Sequence, residues 1–529
     1  MEHNSSNPDD VAQAETSEPW SWHPPQFLIP VSSSLRSESS LHHPESVPAP
    51  ALIPPLLSTA NLQPDADFAS NFPRAAKWCA DGSSVLAHCE NRSFQLFDTG
   101  APESDSASQS IVTNAVTLQH ARTFQLPAPV LDFAWYPGAS SRNLPAYCFV
   151  ASVRECPVKL LDATDGRLRA SYKIVDHRER YIAPHSMAFN STADKLYCGF
   201  EDAIEIFDIH RPGEGDRLHT TPSKKSRDGL KGIVSALAFP PYFASQDLFA
   251  AGTLTPYTPT FDNIALFNEA SGDVVGFIGG IEDASGGGVV QLKFNPVKPH
   301  ILYASFRRGR DRDDAVYAWD LRGDGAAPVS KFVVTKRSNN PESQSNSNGP
   351  NEKATFPTNQ KIQFDIDVSG RWMGMGNQVG NVLLFDLDES GNGNDDAGMK
   401  MGLEREGQLD HGTEWREELH SGVDQDEHDG GIREVRPAMT YKAHQDTIGS
   451  VGFHPLRPFL ISASGSRDFD GGNEDSSSSS SDSEDEGANE GGKEANRVKL
   501  IMKKSRHKLQ PSVRDASIKL WSFDGREAG

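Results

Sequence analysis

The run AVYAWD (315–320), apolar until it closes on Trp and Asp, has six counterparts along the chain. They are SFQLFD (93–98), PVKLLD (157–162), AIEIFD (203–208), NIALFN (263–268), NVLLFD (381–386) and SIKLWS (517–522). Two further apolar stretches precede each one, separated by a turn with Gly, Pro, Asn or Ser. VVQLKFNPVKPHILYASF (289–306) leads into AVYAWD, KIQFDIDVSGRWMGMGN (361–377) into NVLLFD, and IGSVGFHPLRPFLISASG (448–465) into SIKLWS. The closing runs begin 46 to 66 residues apart until the last, which comes far later. A minimal WD repeat takes about 40–45 residues, so this spacing leaves room for inserted loops.

These stretches read as near-continuous apolar runs, as expected of strands buried on both faces. A three- or four-stranded sheet with two apolar faces cannot bury them alone. Stacking such sheets radially buries both faces and leaves only short edges. The Asp, Asn or Ser closing each run stands where a tight turn begins, and an Asx side chain there can accept from the turn backbone. The pattern predicts an all-β fold, a seven-bladed WD-type β-propeller. Its seventh blade is split, its first strands ending near Ser464 and its third beginning near Ser517. A long loop adds little closure cost beyond a short one, so SIKLWS is expected to pair into the blade begun by IGSVGFHP.

Residues 65–525 are assigned to the propeller, with flexible inserts at about 100–112, 338–357, 388–434 and 466–512. Residues 1–64 are rich in Pro and Ser, show no period and are expected to be disordered. SWHPPQFLIP (21–30) is the exception there, either a short docking segment or, on the blander reading, scattered apolar residues of a tail. No apolar run approaches the length of a membrane-spanning helix, and the acidic start lacks the features of a secretory or transit peptide. Five cysteines without a C-x-x-C pair read as reduced thiols of a cytosolic or nuclear protein.

The net charge of −22 is concentrated in two inserts. Residues 388–429 carry 14 acidic and 3 basic side chains, a net of −11, and residues 467–494 carry 10 and 2, a net of −8. The remainder is close to neutral, so the acidity is no argument against an RNA partner. Ser481 and Ser483 each have a Glu three residues on, the pattern of an acid-directed kinase, though serine-rich acidic loops are common. KKSRHK (503–508) and KKSR (224–227) are candidate nuclear import signals.

No G-x-x-x-x-G-K-[ST], H-E-x-x-H or G-x-S-x-G motif occurs, and the chain reads as non-catalytic, with no cofactor and no metal. Asp311, Asp313 and Asp314 are interleaved with Arg307, Arg308, Arg310 and Arg312, which suits a salt-bridged loop better than a metal site. His185 and His444 each precede a first strand and read as structural histidines bonded into their blades. One face of the predicted ring is built from the loops leading into each blade and the loops between second and third strands. Lys224, Lys225, Arg227, Lys231, Arg307 and Arg308 fall there, with Arg92 and Arg154 standing singly. Acidic residues on that face are almost as numerous, so charge alone does not decide between RNA and protein as the partner.

The second and third blades carry more specific words. In ASVRECPVKLLDATDGRLRASYKIVDHRERYIAPHSMAFNSTADKLYCGFEDAIEIFDIHRPG (151–213), Arg154, Pro157, Asp162, Gly166, Leu168, Arg169, Ala170, His185, Ser186, Gly199, Phe200, Arg211, Pro212 and Gly213 form one such pattern. Asn359, Gln360, Lys361, Ile362, Phe364 and Asp365 in blade six form another, and Trp319, Asp320, Leu321 and Arg322 in blade five a third. In these words the chain resembles the telomerase Cajal body protein family, over roughly residues 70–465 and the terminal strand. The longer blade-four turn AGTLTPYTPTFDNIALFN and the two acidic inserts depart from it.

The resemblance implies a nuclear WD-repeat adaptor that binds small non-coding RNAs, telomerase RNA and small Cajal body RNAs. It implies assembly or localisation of their ribonucleoproteins, with the particle's proteins and other nuclear proteins as partners and neither membrane nor small-molecule substrate. The location implied is the nucleus, in Cajal bodies or nucleoplasm, with cytoplasm also open. Arg154, Lys361, Arg307, Arg308, Lys224, Lys225 and Arg227 are then the candidate RNA-binding residues. The other reading is a protein-only WD scaffold, for example in pre-mRNA splicing.

Overall fold

A computed structural model describes residues 23–29, 53–100, 116–223, 225–226, 228–242, 247–255, 262–281, 287–307, 314–323, 325–335, 360–388, 432–469 and 511–525. Among these residues the strands form seven antiparallel blades. Blade 1 comprises Pro73–Trp78, Ser84–Cys89, Ser93–Gly100 and Thr117–Gln125, and blade 2 Val130–Trp135, Cys148–Val153, Val158–Asp162 and Leu168–Tyr172. Blade 3 runs from Ser186–Phe189 to Asp216–His219, blade 4 from Val234–Ala238 to Val274–Ile278, and blade 5 from Val289–Phe294 to Ser330–Thr335. Blade 6 joins Phe364–Ile366, Trp372–Gly376, Asn381–Asp386 and Met439–Lys442.

The seventh blade takes strands from both ends of the ring. Ile448–Phe453 pairs with Phe459–Ser464, which pairs with Ser517–Ser522 as the split repeat predicted. Its fourth strand is Leu56–Asn61, antiparallel to Ser517–Ser522 with Ala60 opposite Ile518. This corrects the expectation of disorder through residue 64. LLSTAN lacks the apolar run of an inner strand because it is the outermost strand of its blade and only Ala60 is buried.

A second correction concerns residues 23–29. Phe27 and Ile29 are buried in the apolar cluster between blades 6 and 7, and the Leu28 N–H donates to the Phe523 carbonyl at 2.9 Å. Two insert boundaries also contract. Asp468–Phe469 pairs with Pro511–Ser512, and Arg433–Val435 adds in parallel to the outer strand of blade 5.

The closing Asx residues behave as their position suggests. Asp162, Asp208, Asn268, Asp320 and Asp386 each accept from a backbone N–H two residues on. Blades are laced to one another near the axis by polar bonds. The Asp132 carboxylate accepts from the Met187 N–H and stands 3.7 Å from Lys77, and Asp365 accepts from the Phe453 N–H and pairs with Lys293. Each of these aspartates thus ties a lysine of the preceding blade to the backbone of the following one.

Candidate nucleic-acid interface

The first strands of blades 1, 2, 4, 5 and 7 share a register shift at their start. Such a bulge re-aims the extra residue and tightens local twist. In blade 1 that residue is Arg74, whose guanidinium lies 3.5 Å from Glu90, itself paired with Arg467. Arg74 therefore belongs to the axial mouth on the face of the blade-leading loops.

Lys361 reaches the same mouth from the loop leading into blade 6. That loop is held on both sides: Gln360 Nε2 donates to the Gly465 carbonyl, and the Gln363 N–H to the Gly449 carbonyl. Gln291 and the backbone of Phe364 exchange two bonds of 2.9 Å. Lys361 is half-buried and makes no hydrogen bond or ion pair among the described residues. Its pKa is lowered by burial; Asp132 opposes this, while Arg74, Lys77 and Arg307 add to it.

Arg154 occupies the turn between the second and third strands of blade 2, its N–H donating to the Pro129 carbonyl at 3.0 Å. Its side chain is exposed and has no hydrogen bond or ion pair among the described residues. The neighbouring Glu155, the obvious candidate to neutralise it, sits in the left-handed region at φ 58° and does not pair with it. His185 lies near both cations. Its pKa is lowered by burial first, then by the charges of Lys361 and Arg154.

The structure thus brings Arg154, Lys361 and Arg307 from blades 2, 6 and 5 into the same electrostatic neighbourhood as Arg74, Lys77 and His185 from blades 1 and 3, with Asp132 of blade 2 as the acidic member of the group. Lys225 is exposed in the loop leading into blade 4 and is not among the charges acting most strongly on this group. Arg308, Lys224, Arg227, Ser481 and Ser483 lie outside the described residues, as do Asp311 and Asp313. Arg74 and Lys77 escaped sequence reasoning, because the first hides in a bulge and the second in an ordinary first strand.

The two histidines differ. His444 Nε2 is 2.7 Å from Ser462 Oγ and its Nδ1 is 3.1 Å from Asp515, while Trp521 Nε1 donates to the same hydroxyl at 2.9 Å. The residue types are those of a hydrolytic triad, but Ser462 is fully buried and its oxygen is occupied by the indole. That network braces blade 7, as expected. His185 corrects the expectation of an inward bond: its ring has no hydrogen bond among the described residues. It immediately precedes its strand, whereas His444 stands four residues before Ile448.

The family words divide in the same way. Asp162 is buried, accepts from the Thr164 N–H at 2.8 Å and pairs with Arg169, whose guanidinium also donates to the carbonyls of Leu144 and Pro145. These residues hold blade 2 at the end away from the mouth, where Arg154 and Lys361 lie.

No protein-family model matches the chain. It is 28% identical over 401 residues to Telomerase Cajal body protein 1 of Rattus norvegicus, covering 75% of this chain and 60% of the relative. The Homo sapiens protein of that name is 25% identical over 404 residues, covering 75% and 58%. Guanine nucleotide-binding protein negative regulator 1 of Schizosaccharomyces pombe is 25% identical over 257 residues, covering 48% and 60%. The chain thus spans about 60% of the length of these relatives. With the blade architecture and the loop words, these likenesses make the chain similar to the telomerase Cajal body proteins over three quarters of its length.

Proposed function

We propose that the chain is a nuclear WD-repeat adaptor, without chemistry of its own, that binds small non-coding RNA at the axial mouth. The RNAs are of the telomerase and small Cajal body classes, and the adaptor helps assemble or localise their ribonucleoproteins. The observation that carries this reading is the convergence of Arg154 and Lys361, from distant blades, as cations that close no ion pair among the described residues. A half-buried lysine that closes no ion pair is costly to a fold, and an anion from outside offsets that cost. A hairpin loop offers phosphates together with splayed bases, and an exposed arginine can pair with either or stack on a base. The names of the mammalian relatives, which speak of telomerase and the Cajal body, support the link to telomerase and the nuclear location.

The test is titration of a labelled hairpin RNA into the full chain at several salt concentrations, wild type against Arg154→Ala plus Lys361→Ala. Weaker binding with a flatter salt dependence supports the site. Unchanged affinity and slope in a folded double variant moves the site elsewhere. Failure of wild type to bind any hairpin favours the protein-only scaffold.

A further inference from the structure

Phe27 shows what a cleft between two blades of this ring accepts. Its ring stands 5.0 Å edge-on from Phe453 and 5.8 Å from Phe523, centroid to centroid. The cleft between blades 2 and 3 repeats that site position by position. Tyr172 opposes Val158 as Tyr441 opposes Val382, and Cys148 opposes Asp162 as Trp372 opposes Asp386. Phe189 ends the first strand of blade 3 as Phe453 ends that of blade 7. Ile209 follows the third strand as Phe523 does.

Two differences enlarge the second cleft. Cys148 replaces a tryptophan and Ile209 a phenylalanine, leaving a cavity of about 330 Å³ walled by Tyr136 and Phe189 edge to face. Its lining includes Arg169 and the exposed His210 and no acidic side chain. The Ile209 carbonyl, which accepts from the Tyr172 hydroxyl at 3.1 Å, corresponds to the Phe523 carbonyl that accepts from Leu28. A carbonyl has a second lone pair for an incoming backbone N–H.

We propose that the blade 2–3 cleft is a docking site for an extended segment of a partner protein, presenting an aromatic side chain beside a carboxylate. The aromatic ring fills the space left by Cys148 and Ile209, the segment's N–H bonds the Ile209 carbonyl, and its carboxylate faces the exposed His210, since Arg169 is already held by Asp162. This surface lies at the end of the ring away from the cationic mouth, so it stands or falls independently of RNA binding.

The probe is a fluorescent peptide, EPQFLIE, built on the chain's own Pro25–Ile29 with glutamate at each end, titrated into the full chain by anisotropy. Saturable binding is expected, weakened at least tenfold when alanine replaces the peptide's phenylalanine. Ala146→Phe, which fills the cleft from a loop, and His210→Glu, an exposed charge reversal, are each expected to weaken it comparably with an unchanged thermal midpoint. If Ala146→Phe fails to fold, His210→Glu decides alone. Three results overturn the proposal: no saturable binding by wild type, wild-type affinity in His210→Glu, or binding that appears only in Phe27→Ala protein. The last would mean that the peptide exchanges into the blade 6–7 cleft.

Discussion

Lys293 and Lys361 both stand near the axis of the ring, at its wall and at its mouth, and they differ in one respect. Lys293 is matched by Asp365, which also accepts from the backbone of blade 7; Lys361 has no such match among the described residues. Lys77 repeats the first arrangement with Asp132 and Met187. Charges that hold the blades together come with a partner that does double duty. The charge at the mouth feels Asp132 as well as the cations Arg74, Lys77 and Arg307 but closes no ion pair among the described residues, which leaves room for an anionic ligand.

The largest effect is expected on the wall. Asp365→Ala strands a half-buried lysine and a backbone N–H together, which should cost about 2–4 kcal/mol of unfolding free energy. Lys361→Met, by contrast, should leave stability within about 0.5 kcal/mol or raise it, because it removes a desolvated charge. Denaturant unfolding of the two variants decides the matter. Equal losses would erase the distinction between wall and mouth.

Next in size is the RNA response. Removing Arg154 and Lys361 together should reduce the slope of log affinity against log salt by roughly 1.4–1.8, two phosphate contacts' worth. Lys293→Met, if it folds, should leave that slope unchanged.

A smaller effect concerns His185. Its folded-state pKa lies below the ordinary 6.5 because of burial and the two nearby cations. On acidification the unfolded chain therefore takes up this proton first. The stability owed to neutral His185 is present above about pH 6.5 and is lost as pH falls through the lowered folded value. A bound phosphate reverses the local field and favours the protonated ring. Hairpin affinity should then rise roughly threefold between pH 7 and 5.5. His185→Asn should remove both dependences, the first read by pH-dependent unfolding and the second by titration.

The smallest effect is expected from deleting residues 471–510 and joining the Phe469 and Pro511 sides with a short Gly-Ser link. The segment is polar and without period, and loop length changes closure cost only slowly. The thermal midpoint should move by no more than a few degrees in a melting experiment.

The contrast also explains what the sequence could disclose. Third strands such as AVYAWD were legible because both faces are buried and the run is continuously apolar. The fourth strand of blade 1, TLQHARTFQ, was not, since it is largely exposed on the rim and alternates irregularly. Leu56–Asn61 was hidden for the same reason, and because its partner lies beyond residue 516. At the mouth, Arg154 and Lys361 were picked out by loop words alone. That they meet, and meet Arg74, depends on blade order and on a bulge that no local pattern announces. The Lys–Asp pairs of the wall were equally invisible, each partner belonging to a different blade.

The shared seventh blade has a consequence for how the protein is made. Its rim strand, Leu56–Asn61, leaves the ribosome early, but the strand it must pair with follows residues 62–516. At roughly 5–20 residues per second that is a wait on the order of a minute. Throughout it, blade 1 has no finished neighbour on one side, and an unpaired strand edge stands open to any other chain. A premature stop anywhere before residue 517 would leave that edge open for good, so a late truncation should be as damaging as an early one.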